Sequence, residues 1–194
     1  MKKMMLTLMV FLSIVLLTGC QNQSAIDVTT LQINKDGTVS ITLVEDFEKP
    51  YYDISELEAV VTAEADDYNK ETGKQSVTVE KVSSKETTAI VKMTYDTAKD
   101  YEVFNRTVFF AGTLAEAENK GYMFREPLAS VAKDGGTITA SQAKEAGYFV
   151  LVVQEKMNIK VPGKVLYTSN TVSTVSAKEV SVTDDESISY IIYE

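Results

Sequence analysis

The chain has 194 residues, with 19 basic and 28 acidic side chains, a formal charge of -9, and neither histidine nor tryptophan. That acidic balance argues against nucleic acid or anionic lipid headgroups as electrostatic partners. Without histidine there is no Ser-His-Asp or Cys-His catalysis and no His-ligated zinc, and Cys20 is the sole cysteine, so no disulfide can form within the chain.

Lys2 and Lys3 precede an apolar run from Met4 to Leu17 that is interrupted only by Thr7 and Ser13. This is the charged and then apolar pattern of a secretory signal. It is shorter than the ~20 residues that a helix needs to cross a bilayer. The run ends in Leu17-Thr18-Gly19-Cys20, which resembles the bacterial lipobox. In precursors with that motif, a diacylglyceryl group joins the cysteine thiol and a peptidase cuts just before it, with Leu17, Thr18 and Gly19 as its recognition residues. The resemblance implies residues 1–19 as signal peptide, Cys20 as lipid carrier, and a protein held on the outer side of the cell membrane without spanning it. Two acyl chains suffice for stable anchoring.

Cleavage there removes two lysines and no acid, leaving 175 residues with 17 basic against 28 acidic groups and a formal charge of -11. The lysine-over-arginine bias, 17 to 2, points to a low-GC Gram-positive source. Residues 20–26 read as a short polar tether, whose reach is only ~12 Å, and residues 27–194 as one extracytoplasmic domain with a sub-boundary near 125–127.

The domain's elements follow in order. Leu31 and Ile33, a Lys35-Asp36-Gly37 turn, and Val39, Ile41 and Leu43 predict a hairpin. Ile54, Leu57, Val60, Val61, Ala65 and Tyr68 recur at helical spacing, so a helix is expected over about 54–72. Asp53 or Ser55 would cap it, Ser55 with Glu58 as a capping box, and Gly73 would end it. Val77, Val79 and Val82 predict a strand paired with Ala89 to Tyr95. Asp96 caps a short helix through Asn105, Thr107 to Ala111 reads as a strand, and Leu114 to Asn119 as a helical turn or two.

Beyond Pro127, Leu128–Ala132 and Thr137–Thr139 flank a Lys133-Asp134-Gly135-Gly136 turn, and Gln142–Ala146 reads as a short helix. Tyr148 to Gln154 is the most apolar run after the signal, as expected of a buried central strand. From Met157 three more strands are expected, the last over Ser187–Tyr193. Strands and helices do not alternate regularly, which predicts an α+β fold with mostly antiparallel sheet, one longer helix and several short ones.

Leu31-Gln32-Ile33-Asn34-Lys35-Asp36-Gly37-Thr38-Val39 resembles the first hairpin of LppM-type lipoprotein domains. Val161-Pro162-Gly163-Lys164-Val165, followed by Thr168-Ser169-Asn170, is similar to their closing strands. In that family a lipidated cysteine precedes a single α+β domain, and some members carry a C-terminal transmembrane helix. This sequence shows no such apolar segment, and it lacks the tryptophan often found after the closing asparagine. The resemblance implies a surface-exposed domain and carries over no catalytic residue.

Candidate sites are few. Acidic groups cluster at Glu45, Asp46, Glu48 and Asp53, at Glu64, Asp66 and Asp67, and at Asp184, Asp185 and Glu186, without the loop spacing of a calcium site. Tyr51 and Tyr52, beside Pro50, are candidates for contact with a ligand or partner. Tyr101, Phe104, Phe109, Phe110, Tyr122 and Phe124 lie near Arg106 and Arg125 in sequence. Together they would form either a ligand pocket or core aromatics flanked by arginines paired with acids. No motif calls for a cofactor or a metal. The leading expectation is a monomeric, non-enzymatic binding or interaction domain at the cell envelope, with the membrane and an unidentified ligand or envelope protein as partners. The alternatives are a hydrolase working through paired carboxylates and a structural or assembly partner of another envelope protein.

Overall fold

The alternating apolar residues of the first hairpin need one covered face, and the chain supplies it twice over. The computed structural model describes residues 28–194, so the signal segment, Leu17–Cys20 and the tether to residue 26 lie outside the described residues. Strands β1 (Thr30–Ile33) and β2 (Val39–Asp46) pair antiparallel with Ile33 opposite Val39. Asp36 closes the turn by accepting from the backbone N–H of Thr38 at 3.1 Å and from its hydroxyl at 2.7 Å. Leu31, Val39 and Ile41 are buried, while Ser40 and Thr42 face the other way.

Helix α1 spans Ile54–Thr72. Asp53 caps it, accepting from the N–H groups of Ser55 at 2.7 Å and Glu56 at 3.1 Å. Ser55 lies in the first turn and makes no cap, because the carboxylate two residues earlier already meets the free donors. Gly73 stops the helix at φ 68°, a left-handed conformation that other residues adopt at a cost. Strands β3 (Val77–Lys85) and β4 (Thr88–Tyr95) form the next hairpin, and β3 runs past Val82 through a bulge between Val79 and Lys81. Helix α2 (Ala98–Asn105) is capped by Thr97, whose hydroxyl accepts from Asp100 N–H at 3.1 Å. Asp96 does not cap it: it lies one residue before the cap position, with its N–H donating to the Ser76 carbonyl at the sheet's end.

Strand β5 (Phe109–Thr113) leads into α3 (Leu114–Asn119), which opens with a Thr113/Glu116 capping box. Strands β6 (Leu128–Ser130) and β7 (Thr137–Ile138) pair across the second Lys-Asp-Gly turn, and α4 (Ala140–Glu145) opens with a Thr139/Gln142 box. After β8 (Phe149–Val153) the chain forms five strands rather than three: β9 (Met157–Lys160), β10 (Val165–Thr168), β11 (Val172–Ser176), β12 (Glu179–Val182) and β13 (Ser189–Tyr193). The β11–β12 hairpin carries little apolar alternation in the sequence, because its exposed positions are mostly Ser and Thr. Only Val172, Val180 and Val182 are buried.

The result is a mixed α and β fold, mostly sheet, with four helices among the described residues. The larger sheet has the order β11-β12-β9-β1-β2-β4-β3, the smaller one β5-β8-β13-β10-β6-β7. Among the described residues, all pairings are antiparallel except β1 with β9. One core joins the sheets, with Leu31, Ile41, Ile159 and Val180 from the larger and Phe109, Leu151, Val153 and Ile191 from the smaller. The opposite face of the smaller sheet buries Phe110, Val150, Val152 and Ile192 against Leu114, Ala117 and Ala143 of α3 and α4. Strand β8 is therefore covered on both faces, which is why its sequence is an unbroken apolar run.

Candidate binding cleft

The apolar stripe of α1 promises more burial than the helix achieves. Leu57, Val61 and Tyr68 are only half-buried, Ala65 is the one fully buried residue, and Val60 is 55% exposed. The doubled Val60-Val61 widens the stripe beyond what the sheet covers. Between Leu57, Val60 and Val61 of the helix and Leu43, Ala89, Val91 and Met93 of β2 and β4 lies a cleft of about 470 Å³. That is the size range of small-molecule sites, ~300–1,000 Å³.

The segment from Phe47 to Tyr52 lines one end without covering it. Phe47 N–H donates to the Thr87 carbonyl at 2.7 Å, and Tyr52 N–H to the Lys49 carbonyl at 3.0 Å, turning the chain at Pro50. The Phe47 and Tyr52 rings stack at 5.0 Å, and Tyr51 meets Tyr52 edge-on at 5.0 Å. Tyr51 is 72% and Tyr52 45% exposed, so this aromatic cluster is not spent on the core. Tyr51 and Tyr52 thus line the cleft together with Phe47 and the sheet floor, which no sequence signal marks. Around the mouth stand Glu45, Asp46, Asp53 and Glu56. Among the described residues, none of these four carboxylates is ion-paired to a lysine or arginine.

A second cleft, of about 570 Å³, lies where the β1–β2 turn, the start of α2, strand β5 and the β9–β10 loop meet. Its walls include Ile33, Phe109, Phe110 and Tyr193, with Phe149 stacked on Tyr193 at 5.7 Å. Its charged lining residues are Glu194 and three lysines, Lys35, Lys99 and Lys120. Two of these are partly neutralised by Glu102, at 2.9 Å from Lys99 and 4.0 Å from Lys120. Gly163 lies here because a Cβ at that position would overlap the backbone oxygen of Glu194.

The aromatics between residues 101 and 124 do not form a pocket with the arginines. Strand β5 sends Phe109 to the core between the sheets and Phe110 to the opposite face, and the other rings divide accordingly. Arg106 is the exposed C-cap of α2 and Arg125 is exposed in the following loop; neither lines either cleft. Neither arginine is ion-paired among the described residues, so pairing with nearby acids is not found either.

Two carboxylates, buried Asp100 and half-buried Glu155, serve as braces. Asp100 is 6% exposed and accepts from the Thr97 hydroxyl at 2.5 Å and the Tyr68 hydroxyl at 3.1 Å, with Lys74 at 3.5 Å. Burial alone would raise its carboxyl. The hydrogen bonds from Thr97 and Tyr68, together with the Lys74 charge, outweigh that and hold it below the usual range. Glu155 accepts from the Tyr101 hydroxyl at 3.0 Å, and there burial wins, raising the carboxyl above its usual range. Elsewhere the acidic groups have local uses: Asp67 pairs with Lys70 at 3.0 Å, Asp185 with Lys156 at 2.8 Å, and Asp184 closes a turn onto Glu186 N–H. Among the described residues, no group of three or more carboxylates is arranged to hold a metal ion, and no helix is long and apolar enough to cross a membrane.

Comparison with models of known protein families, with curated proteins and with solved structures returned no match.

Proposed function

We propose that this chain is a lipid-anchored extracytoplasmic protein whose α+β domain binds the apolar body of a small molecule, without catalysis, in the cleft beneath α1. The cleft's open aromatic end carries the reading. A stable helix–sheet contact would cover Val60 and the tyrosine rings, yet Val60, Tyr51 and Tyr52 remain exposed around a concavity of ligand size. Covering them with an apolar ligand recovers about 25 cal/mol for each Å² removed from water. In this reading α1, the one longer helix, is a roof braced at its C-terminal end by the Tyr68–Asp100 bond and left open at its N-terminal end. Lipid on Cys20 and a tether of ~12 Å reach keep that opening close to the membrane surface. The lack of histidine and of any spare cysteine favours binding over catalysis.

The test is native mass spectrometry of the full chain taken from membranes, beside a Val60→Trp variant in which the larger side chain fills the cleft. The wild-type chain is expected to carry an additional bound mass that the variant loses while still unfolding cooperatively. Equal bound mass in both proteins, or none in either, would contradict the proposal.

A further inference from the structure

We infer that the ligand of the α1 cleft is an organic cation, an ammonium group carried on an apolar body. The inference rests on the binding role proposed above and adds the charge of the occupant. Of the fourteen residues lining the cleft, four are acidic and none is basic, although the chain as a whole has 19 basic side chains to 28 acidic. The local excess is therefore steeper than the protein's average. Two of the four acids have local backbone duties, Asp53 as the α1 cap and Asp46 accepting from Glu48 N–H at 3.0 Å. Glu45 and Glu56 have no hydrogen-bond or ion-pair partner of this kind among the described residues.

The aromatic end adds a second, independent preference. The faces of Phe47, Tyr51 and Tyr52 carry the negative side of the ring quadrupole, and a quaternary or protonated ammonium group is attracted to such faces within ~6 Å of the ring centre. Rings and carboxylates at one end of an apolar trough match a ligand with a positive head and an apolar tail. An anionic amphiphile meets the opposite condition here. The second cleft, with three lysines to one acid in its lining, suits it better.

The experiment uses the full chain in lipid nanodiscs with tyrosine-labelled rings observed by NMR. Tyr51 and Tyr52 signals are assigned through Tyr51→Phe and Tyr52→Phe, and empty nanodiscs are subtracted. Three water-soluble probes share one tail: hexyltrimethylammonium, hexanol and hexyl sulfate. The cation is expected to shift both signals saturably, with hexanol about tenfold weaker and hexyl sulfate without effect on these two rings. A Glu45→Gln/Glu56→Gln double variant, with both changes at exposed positions, should bring the cation down to the affinity of hexanol and leave hexanol unchanged. Hexanol binding as tightly as the cation, an unaltered cation affinity in the double variant, or equal shifts with hexyl sulfate would overturn the inference while leaving an apolar cleft in place. No saturable shift with any probe, on a protein that still unfolds cooperatively, would overturn both the inference and the binding role beneath it.

Discussion

Asp100 is where the account of α1 can be weighed most closely. If α1 is held at its C-terminal end and open at its N-terminal end, removing the brace should cost the whole fold. Asp100→Ala deletes a carboxylate that is 6% exposed and strips the Thr97 and Tyr68 hydroxyls of their acceptor. Hydrogen bonds to a charged group are worth about 1.5–3 kcal/mol each. Tyr68 is only half-buried and can turn to water, and Lys74 is 52% exposed, so its pairing adds little. The expected cost is about 3 kcal/mol, which for a domain of this size lowers Tm by roughly 6–12 °C. Asp100→Asn keeps the shape and one acceptor and should cost about 1 kcal/mol.

The sign with pH follows from the depressed carboxyl. A folded-state pKa below the unfolded value gives stability that is present above the unfolded pKa and is lost as pH falls through the folded one. The gap between wild type and Asp100→Ala should therefore be full near neutrality and shrink as pH falls through and below the ordinary carboxylate range. Thermal melts followed by circular dichroism across that range read both quantities. A Tm change under about 2 °C at neutral pH, or a gap that stays constant on acidification, would refute the bracing role.

Other outcomes follow from single contacts. Gly163→Ala must push the β9–β10 loop off the Glu194 backbone, with an expected loss of about 1–3 kcal/mol in urea unfolding. Glu155 has a raised carboxyl, so its contribution is greatest below the unfolded pKa and declines as pH rises through the folded one. Glu155→Gln should thus remove a fall in denaturation midpoint that wild type shows on going from mildly acidic to neutral pH. Tyr51→Ala, at a 72% exposed ring, should leave stability within about 0.5 kcal/mol while weakening hexyltrimethylammonium in the NMR titration.

The hairpin of β1 and β2 is legible in the sequence because both its turn chemistry and its two-residue period are local. The β8 run is legible because burial on both faces leaves no polar position to obscure it. The β11–β12 hairpin is hidden by its Ser- and Thr-rich outer face, and the Thr97 cap by the competing Asp96 one residue earlier. The cleft is only half legible. Tyr51 and Tyr52 stand out beside Pro50, but Leu43, Ala89, Val91 and Met93 read as ordinary strand positions, and only the β2–β4 register brings them beneath α1. The grouping of Arg106 and Arg125 with nearby aromatics fails for a related reason. Proximity in sequence is undone by β5, whose successive side chains point to opposite faces.

The central claim, a binding domain held at the membrane by lipid on Cys20, is tested most directly by the mass of the N-terminal peptide of the chain purified from membranes. The account predicts a peptide that begins at Cys20 and carries a diacylglyceryl group, with residues 1–19 absent, and unprocessed protein when Cys20 is replaced by Ala. A peptide that begins elsewhere, or a free thiol on Cys20, would contradict it.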